Sequence, residues 1–82
     1  PRLCIGLDIG STAVRLVQLR QGRAGLQVAR FGVEPLPPGC VEGGAVKDHA
    51  GAVAAVRRLL ARTKPRGREV ALAVAGNGVI IK

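Results

Sequence analysis

Asp8, Gly10, Ser11, Thr12 and Arg15 fall within one short stretch, Ile5-Gly6-Leu7-Asp8-Ile9-Gly10-Ser11-Thr12-Ala13-Val14-Arg15. Their types suit a phosphate chain bound together with a metal ion. Phosphate oxygens need backbone N–H groups free of side-chain obstruction, hydroxyls and a cation. Gly10 lets the chain turn sharply and approach a phosphate, while Ser11 and Thr12 add two hydroxyl donors. Asp8 would repel bare phosphate, so a carboxylate here makes sense only with a cation in between. Mg²⁺ keeps most of its waters, and Asp8 would hold it through them. Arg15 projects from the next strand and either neutralises phosphate charge or pairs with Asp8. The alternative is an ordinary hairpin turn with Asp8 as its turn-forming acid, because Asp-x-Gly-Ser/Thr is a short pattern. The unbroken apolar run before the turn and the strand immediately after it favour the phosphate reading. Neither Gly-Lys-Ser/Thr nor a helix follows the glycine, which excludes a Walker A loop and a dinucleotide fingerprint.

Several elements must hold that turn in place. Leu3 to Ile9 alternates Leu3, Ile5, Leu7 and Ile9 on one face with Cys4, Gly6 and Asp8 on the other. It has no charge before Asp8 and is expected to be a strand covered on both sides. Val14 to Arg20 is a second strand, with Arg15, Val17 and Leu19 on one face. Gln21 to Gly25 is a glycine-bearing connection, and Leu26 to Val33 a third strand, completing an antiparallel meander. Glu34-Pro35-Leu36-Pro37-Pro38-Gly39 is expected to leave the sheet as an extended loop, since its prolines remove ladder donors. Val41 to Val46 is at most a short strand that Gly43-Gly44 weakens. Asp48 is the expected N-cap of a helix running to Thr63 or Lys64. That helix would bury Ala52, Val53, Val56, Leu59 and Leu60, with Arg58 and Arg62 opposite in water. Pro65 and Gly67 stop it. Val70 to Ala75 is apolar on both faces and is expected to be a buried strand parallel to the first. The frame is β-β-β-α-β, followed by glycine punctuation at Gly76-Asn77-Gly78.

Composition narrows the function classes. A chain of 82 residues suits one small domain or one lobe of a larger one, and buries only about 60 to 65% of its unfolded surface. Phe31 is the single aromatic residue, so the core must be Val, Leu, Ile and Ala. The strand-like ending Val79-Ile80-Ile81-Lys82 leads us to expect a partial domain. Cys4 and Cys40 are expected to be reduced thiols of a cytosolic protein. His49 is expected to face solvent in the helix's first turn, and no zinc site is formed, because there is no second histidine. No apolar stretch reaches the ~20 residues of a membrane span. Of the thirteen basic residues behind the net charge of +8, Arg57, Arg58, Arg62, Lys64, Arg66 and Arg68 crowd together. Such a patch could meet nucleic-acid phosphates or an anionic lipid surface. No nucleic-acid partner is expected, because nothing stacks on bases and no DNA-reading motif is present.

These residues also carry a family resemblance. Gly6-Leu7-Asp8-Ile9-Gly10-Ser11-Thr12-Ala13-Val14-Arg15-Leu16-Val17 is similar to the first phosphate motif of the actin, heat-shock chaperone and sugar-kinase superfamily. Val33-Glu34-Pro35-Leu36-Pro37-Pro38-Gly39 and Val70-Ala71-Leu72-Ala73-Val74-Ala75-Gly76-Asn77-Gly78-Val79-Ile80 narrow it. Together they resemble the PilM family of type IV pilus assembly, related to the division protein FtsA.

The resemblance implies an α/β, actin-like (ribonuclease H-like) ATPase lobe. Residues 1–82 would be its amino-terminal part, with the next subdomain beginning at about residue 77. It implies ATP with Mg²⁺ as ligand, Asp8 as the metal-water carboxylate, and Gly10, Ser11 and Thr12 as the phosphate turn. Arg15 falls where the family has Lys or Arg. It further implies a cytoplasmic scaffold, peripheral to the inner membrane, that binds the amino-terminal tail of PilN. Homo-oligomerisation stays open. Strand-like peptide docking at Val79-Ile80-Ile81 stands against the plainer reading of those residues as the next core strand. Gly76-Asn77-Gly78 departs from the family's Ser-containing turn. The residues hydrolysis would need are expected beyond Lys82, so no catalytic residue is assigned. The alternatives are a sugar kinase of the same superfamily, a cytoplasmic domain of a type II secretion platform, and a basic nucleic-acid or lipid-surface module.

Overall fold

The computed structural model of the chain describes residues 2–66, 69–74 and 77–81. Expectations placed on Gly67, Arg68, Ala75, Gly76 and Lys82, and on the side chains of Val79, Ile80 and Ile81, lie outside what it describes. Strand β1 (Arg2–Ile9) is the middle of a five-stranded sheet. It pairs antiparallel with β2 (Ala13–Gly22), which pairs antiparallel with β3 (Gly25–Pro35) at one edge. On its other side β1 pairs parallel with β6 (Glu69–Val74), and β7 (Asn77–Ile81) pairs antiparallel with β6. Between β3 and β6 come a small hairpin, β4 (Val41–Glu42) and β5 (Ala45–Val46), and helix α1 (His49–Thr63). The expected β-β-β-α-β frame is therefore present, with the small hairpin and β7 added to it.

Helix α1 begins and ends on the residues the sequence marks. The Asp48 carboxylate accepts a hydrogen bond from the Gly51 N–H at 2.9 Å, satisfying one of the first-turn donors. Lys64 closes the helix in the left-handed conformation, its N–H donating to the Leu60 carbonyl, and Pro65 follows. The buried line is Ala52, Ala55 and Leu59, with Val56 packed beside it. Val53 and Leu60, expected inside, are exposed flanks. Across the interface α1 meets Gly32 of β3. A β-carbon there would sit 2.7 Å from the Thr63 methyl and 2.8 Å from Leu59 Cδ1. An approach this close seats α1 on the sheet along the Leu59 and Thr63 line, and Val53 and Leu60 lie to either side of the buried line.

Ile5, Val14, Leu16, Leu36, Cys40, Val41, Ala52, Ala55 and Leu59 form the core between the sheet and α1. Among the described residues, only this face of the sheet is covered. The face carrying Cys4, Gly6 and Asp8, expected to be buried, is open among the described residues, and the Cys4 thiol is exposed. The register places Val17 and Phe31 on the same open face, and Phe31 is 73% exposed. With a single helix available, one face is all that the described chain can cover.

Two further expectations are corrected. Glu34 and Pro35 belong to β3, opposite Val14 and Ala13, rather than to the loop. Because β3 is an edge strand, a proline at its end is tolerated. Gly43 and Gly44 do not weaken a strand; they turn a hairpin. Their φ values of +57° and +78° are those of a two-residue turn with both central residues left-handed, which glycine adopts without strain.

Candidate functional site

Asp8 is the last residue but one of β1, and the register sets it directly opposite Arg15 of β2. Directly opposed residues share a face, so both side chains stand on the open side of the sheet. The Asp8 Oδ2 to Arg15 Nη1 distance is 3.8 Å, and both side chains are about half exposed. Between the strands, the Gly10 N–H donates to the Ala13 carbonyl at 2.9 Å and closes the turn, with Ser11 and Thr12 exposed at its tip.

The turn therefore uses up one of its amides and leaves two. The N–H groups of Ser11 and Thr12 make no backbone hydrogen bond among the described residues, so they remain available to an anion. Gly10 leaves room on the turn: a β-carbon there would lie 3.3 Å from the Ala13 carbonyl oxygen and 3.2 Å from Arg15 Nη1, a tight fit on both sides. The structure thus brings Asp8, Gly10 and Arg15 into one cluster, with the Ser11 and Thr12 hydroxyls at the tip beside it. From Ile9 to Val33 the chain carries Arg15, Arg20, Arg23 and Arg30 and no acidic residue, so the hairpins beyond Asp8 present a positive field.

Sequence reasoning missed two supports of this turn. The Leu36 N–H donates to the Thr12 carbonyl at 2.9 Å, tying the turn to the proline segment. Leu36 is itself in the core, and the Cys40 carbonyl beyond it accepts from the Lys47 and Asp48 N–H groups. The turn is thereby linked, bond by bond, to the N-cap of α1. The second support is Glu34. Arg58 and Arg62, expected to point into water, both reach its carboxylate, with Arg58 Nε at 3.0 Å, and Arg62 also donates to the Val33 carbonyl. Hydrogen bonds from Arg62 and then Arg58 hold the Glu34 carboxyl below its ordinary pKa. The signal was legible in the four-residue spacing of the two arginines, which puts them on one helix face as a fork for an acid.

Among the described residues, the turn included, no group of three or more His, Cys, Asp or Glu side chains could hold a metal. No helix there is long and apolar enough to cross a membrane. Arg58 and Arg62 share the single Glu34 carboxylate, which offsets one charge of the basic patch.

A mixed sheet with this strand order, one helix on one face and a glycine turn at the end of the middle strand define a mixed α/β lobe built around a hairpin. Among solved structures, a chain of a PilM–PilN type IV pilus biogenesis complex matches it with a TM-score of 0.72 and 30% sequence identity, over 87% of this chain. The match covers 20% of that chain, so the sequence spans a fifth of its relative's length. Residues 6–82 match the family described as type IV pilus assembly protein PilM, and the chain belongs to that family.

Proposed function

We propose that this chain is the first lobe of a cytoplasmic, ATP-binding scaffold of type IV pilus assembly, of the actin-like kind. One observation carries the nucleotide part of the reading. A turn with two unused amides, two hydroxyls and no β-carbon at Gly10 stands beside the Asp8 carboxylate and the Arg15 guanidinium. These residues fit ATP with Mg²⁺. Asp8 would hold the metal through its waters, the amides and hydroxyls of Ser11 and Thr12 would donate to phosphate oxygens, and Arg15 would neutralise charge. The bound nucleotide would act as a structural or switching ligand that joins this lobe to the rest of the protein. Family membership supports the pilus role, and the related complex, which contains PilM and PilN, supports the PilN tail as the link to the inner-membrane platform.

Isothermal titration of the full-length protein with Mg-ATP tests the reading, comparing wild type with Asp8→Ala and Gly10→Val. Both variants are expected to bind much more weakly, with circular dichroism reporting an unchanged fold. Equal affinity in all three would remove the hairpin from the site.

A further inference from the structure

Resting on that reading, we infer that Arg15 is an internal counter-ion for Asp8, and that exchanging it makes metal and nucleotide binding interdependent. The ligand-free geometry carries the inference. Arg15 Nη1 lies 3.8 Å from Asp8 Oδ2 and 3.2 Å from the place where a β-carbon on Gly10 would be. One guanidinium nitrogen therefore stands against both the carboxylate and the bare backbone of the turn. Those are the two surfaces that a hydrated metal ion and a phosphate would use. The cross-strand register holds this arrangement, because Asp8 and Arg15 face each other on β1 and β2.

Without ligand, Asp8 already faces a counter-ion, so a free divalent cation must compete with Arg15 for the carboxylate. When phosphate arrives alone, it competes for the guanidinium and draws it off Asp8. That exposes a bare carboxylate beside the phosphate, and the two repel. Only a metal arriving with the phosphate satisfies both anions while Arg15 changes partner. By linkage, the metal must then strengthen nucleotide binding by the same factor as the nucleotide strengthens metal binding. A merely structural ion pair would hold the hairpin together and affect both forms of the ligand equally.

Nucleotide titrations on the full-length protein, in excess EDTA and in excess Mg²⁺, separate the two roles. The wild type is expected to bind Mg-ATP more tightly than metal-free ATP. Asp8→Asn keeps the side-chain shape but removes the charge, freeing Arg15 for phosphate. It is expected to bind metal-free ATP about three- to fivefold more tightly than wild type, the scale of an exposed ion pair, while binding Mg-ATP more weakly. Adding Arg15→Gln to Asp8→Asn is expected to abolish the gain in EDTA. If Asp8→Asn changes both affinities by the same factor, or if the gain survives without Arg15, the exchange is refuted while the nucleotide reading stands. If the wild type binds ATP neither with nor without Mg²⁺, both fall together.

Discussion

Replacing Gly32 by alanine probes how closely α1 is seated on the sheet. Gly32 does not need a left-handed backbone, so alanine is locally allowed and would favour the strand by roughly 0.5 to 1 kcal/mol over glycine. Packing opposes this. The new methyl would meet the Thr63 methyl at 2.7 Å and Leu59 Cδ1 at 2.8 Å, well inside ordinary carbon contact. Neither neighbour can easily retreat. Leu59 is fully buried, and the Thr63 hydroxyl is held by a 2.7 Å hydrogen bond to the Leu59 carbonyl. Overpacking of this sort costs about 1 to 3 kcal/mol, and with both neighbours held the upper half of that range applies. The net expectation is a loss of about 1 to 2.5 kcal/mol after the backbone gain. Urea denaturation of the full-length protein followed by circular dichroism would read it as a lowered midpoint at unchanged slope. Adding Thr63→Ser removes the offending methyl but keeps the hydroxyl, and should recover part of the loss. An unchanged or raised midpoint for Gly32→Ala, or strictly additive effects in the double variant, would refute the close seating.

Three other perturbations follow from the same geometry. Glu34→Gln should lower stability at neutral pH by releasing Arg58 and Arg62 from their shared carboxylate. Because folding depresses the Glu34 pKa below 4.5, its contribution is fully present above that value and lost as pH falls through the folded-state pKa. The midpoints of wild type and Glu34→Gln, measured from pH 7 to pH 3, should therefore converge at the acid end. Asp48→Ala removes the cap on the Gly51 N–H and should cost about 0.5 to 2 kcal/mol in the same denaturation assay, whereas Asp48→Asn should cost much less. Gly44→Val forces a β-branched residue to φ +78° and should cost about 1 to 3 kcal/mol, while Gly43→Asn should be nearly neutral by the same measurement.

The features legible in the sequence were those with local causes. Alternation in Leu3 to Ile9, the cap at Asp48 and the stop at Pro65 each depend on residues within one turn or strand, and the strand, cap and stop are found where those residues put them. The parallel placement of Val70 to Val74 was legible because a run apolar on both faces suits an inner strand, but the burial expected of it is not found: Ala71 is exposed and its neighbours are half-buried. What escaped the sequence depends on partners distant along the chain. Arg58 and Arg62 looked solvated until Glu34, across the α1–β3 interface, supplied a carboxylate. Gln18 is polar and mid-strand, yet fully buried; Arg30 of the neighbouring strand donates to its side-chain oxygen at 3.0 Å, while its amide nitrogen has no partner among the described residues. Val53 and Leu60 fit the helical period, yet the face that α1 turns to the sheet runs through Ala52, Ala55 and Leu59 and leaves them exposed. At the phosphate turn, residue types were legible whereas amide usage was not. Only the Gly10-to-Ala13 hydrogen bond shows which N–H groups remain for an anion.

The parallel pairing of β1 with β6 also governs how the chain is made. Its partners, from Cys4 with Glu69 to Ile9 with Val74, stand 65 residues apart along the sequence. At about 5 to 20 residues per second, a ribosome takes roughly 3 to 13 s to cover that distance. Throughout that interval β1, destined for the middle of the sheet, is an edge strand with open hydrogen-bonding groups. The meander β1–β2–β3 can close early, since its contacts are short-range, and α1 can dock on it before β6 emerges. The nascent lobe thus spends seconds with one sticky edge exposed, and the only charge on β1 after Arg2 to discourage a wrong neighbour there is Asp8.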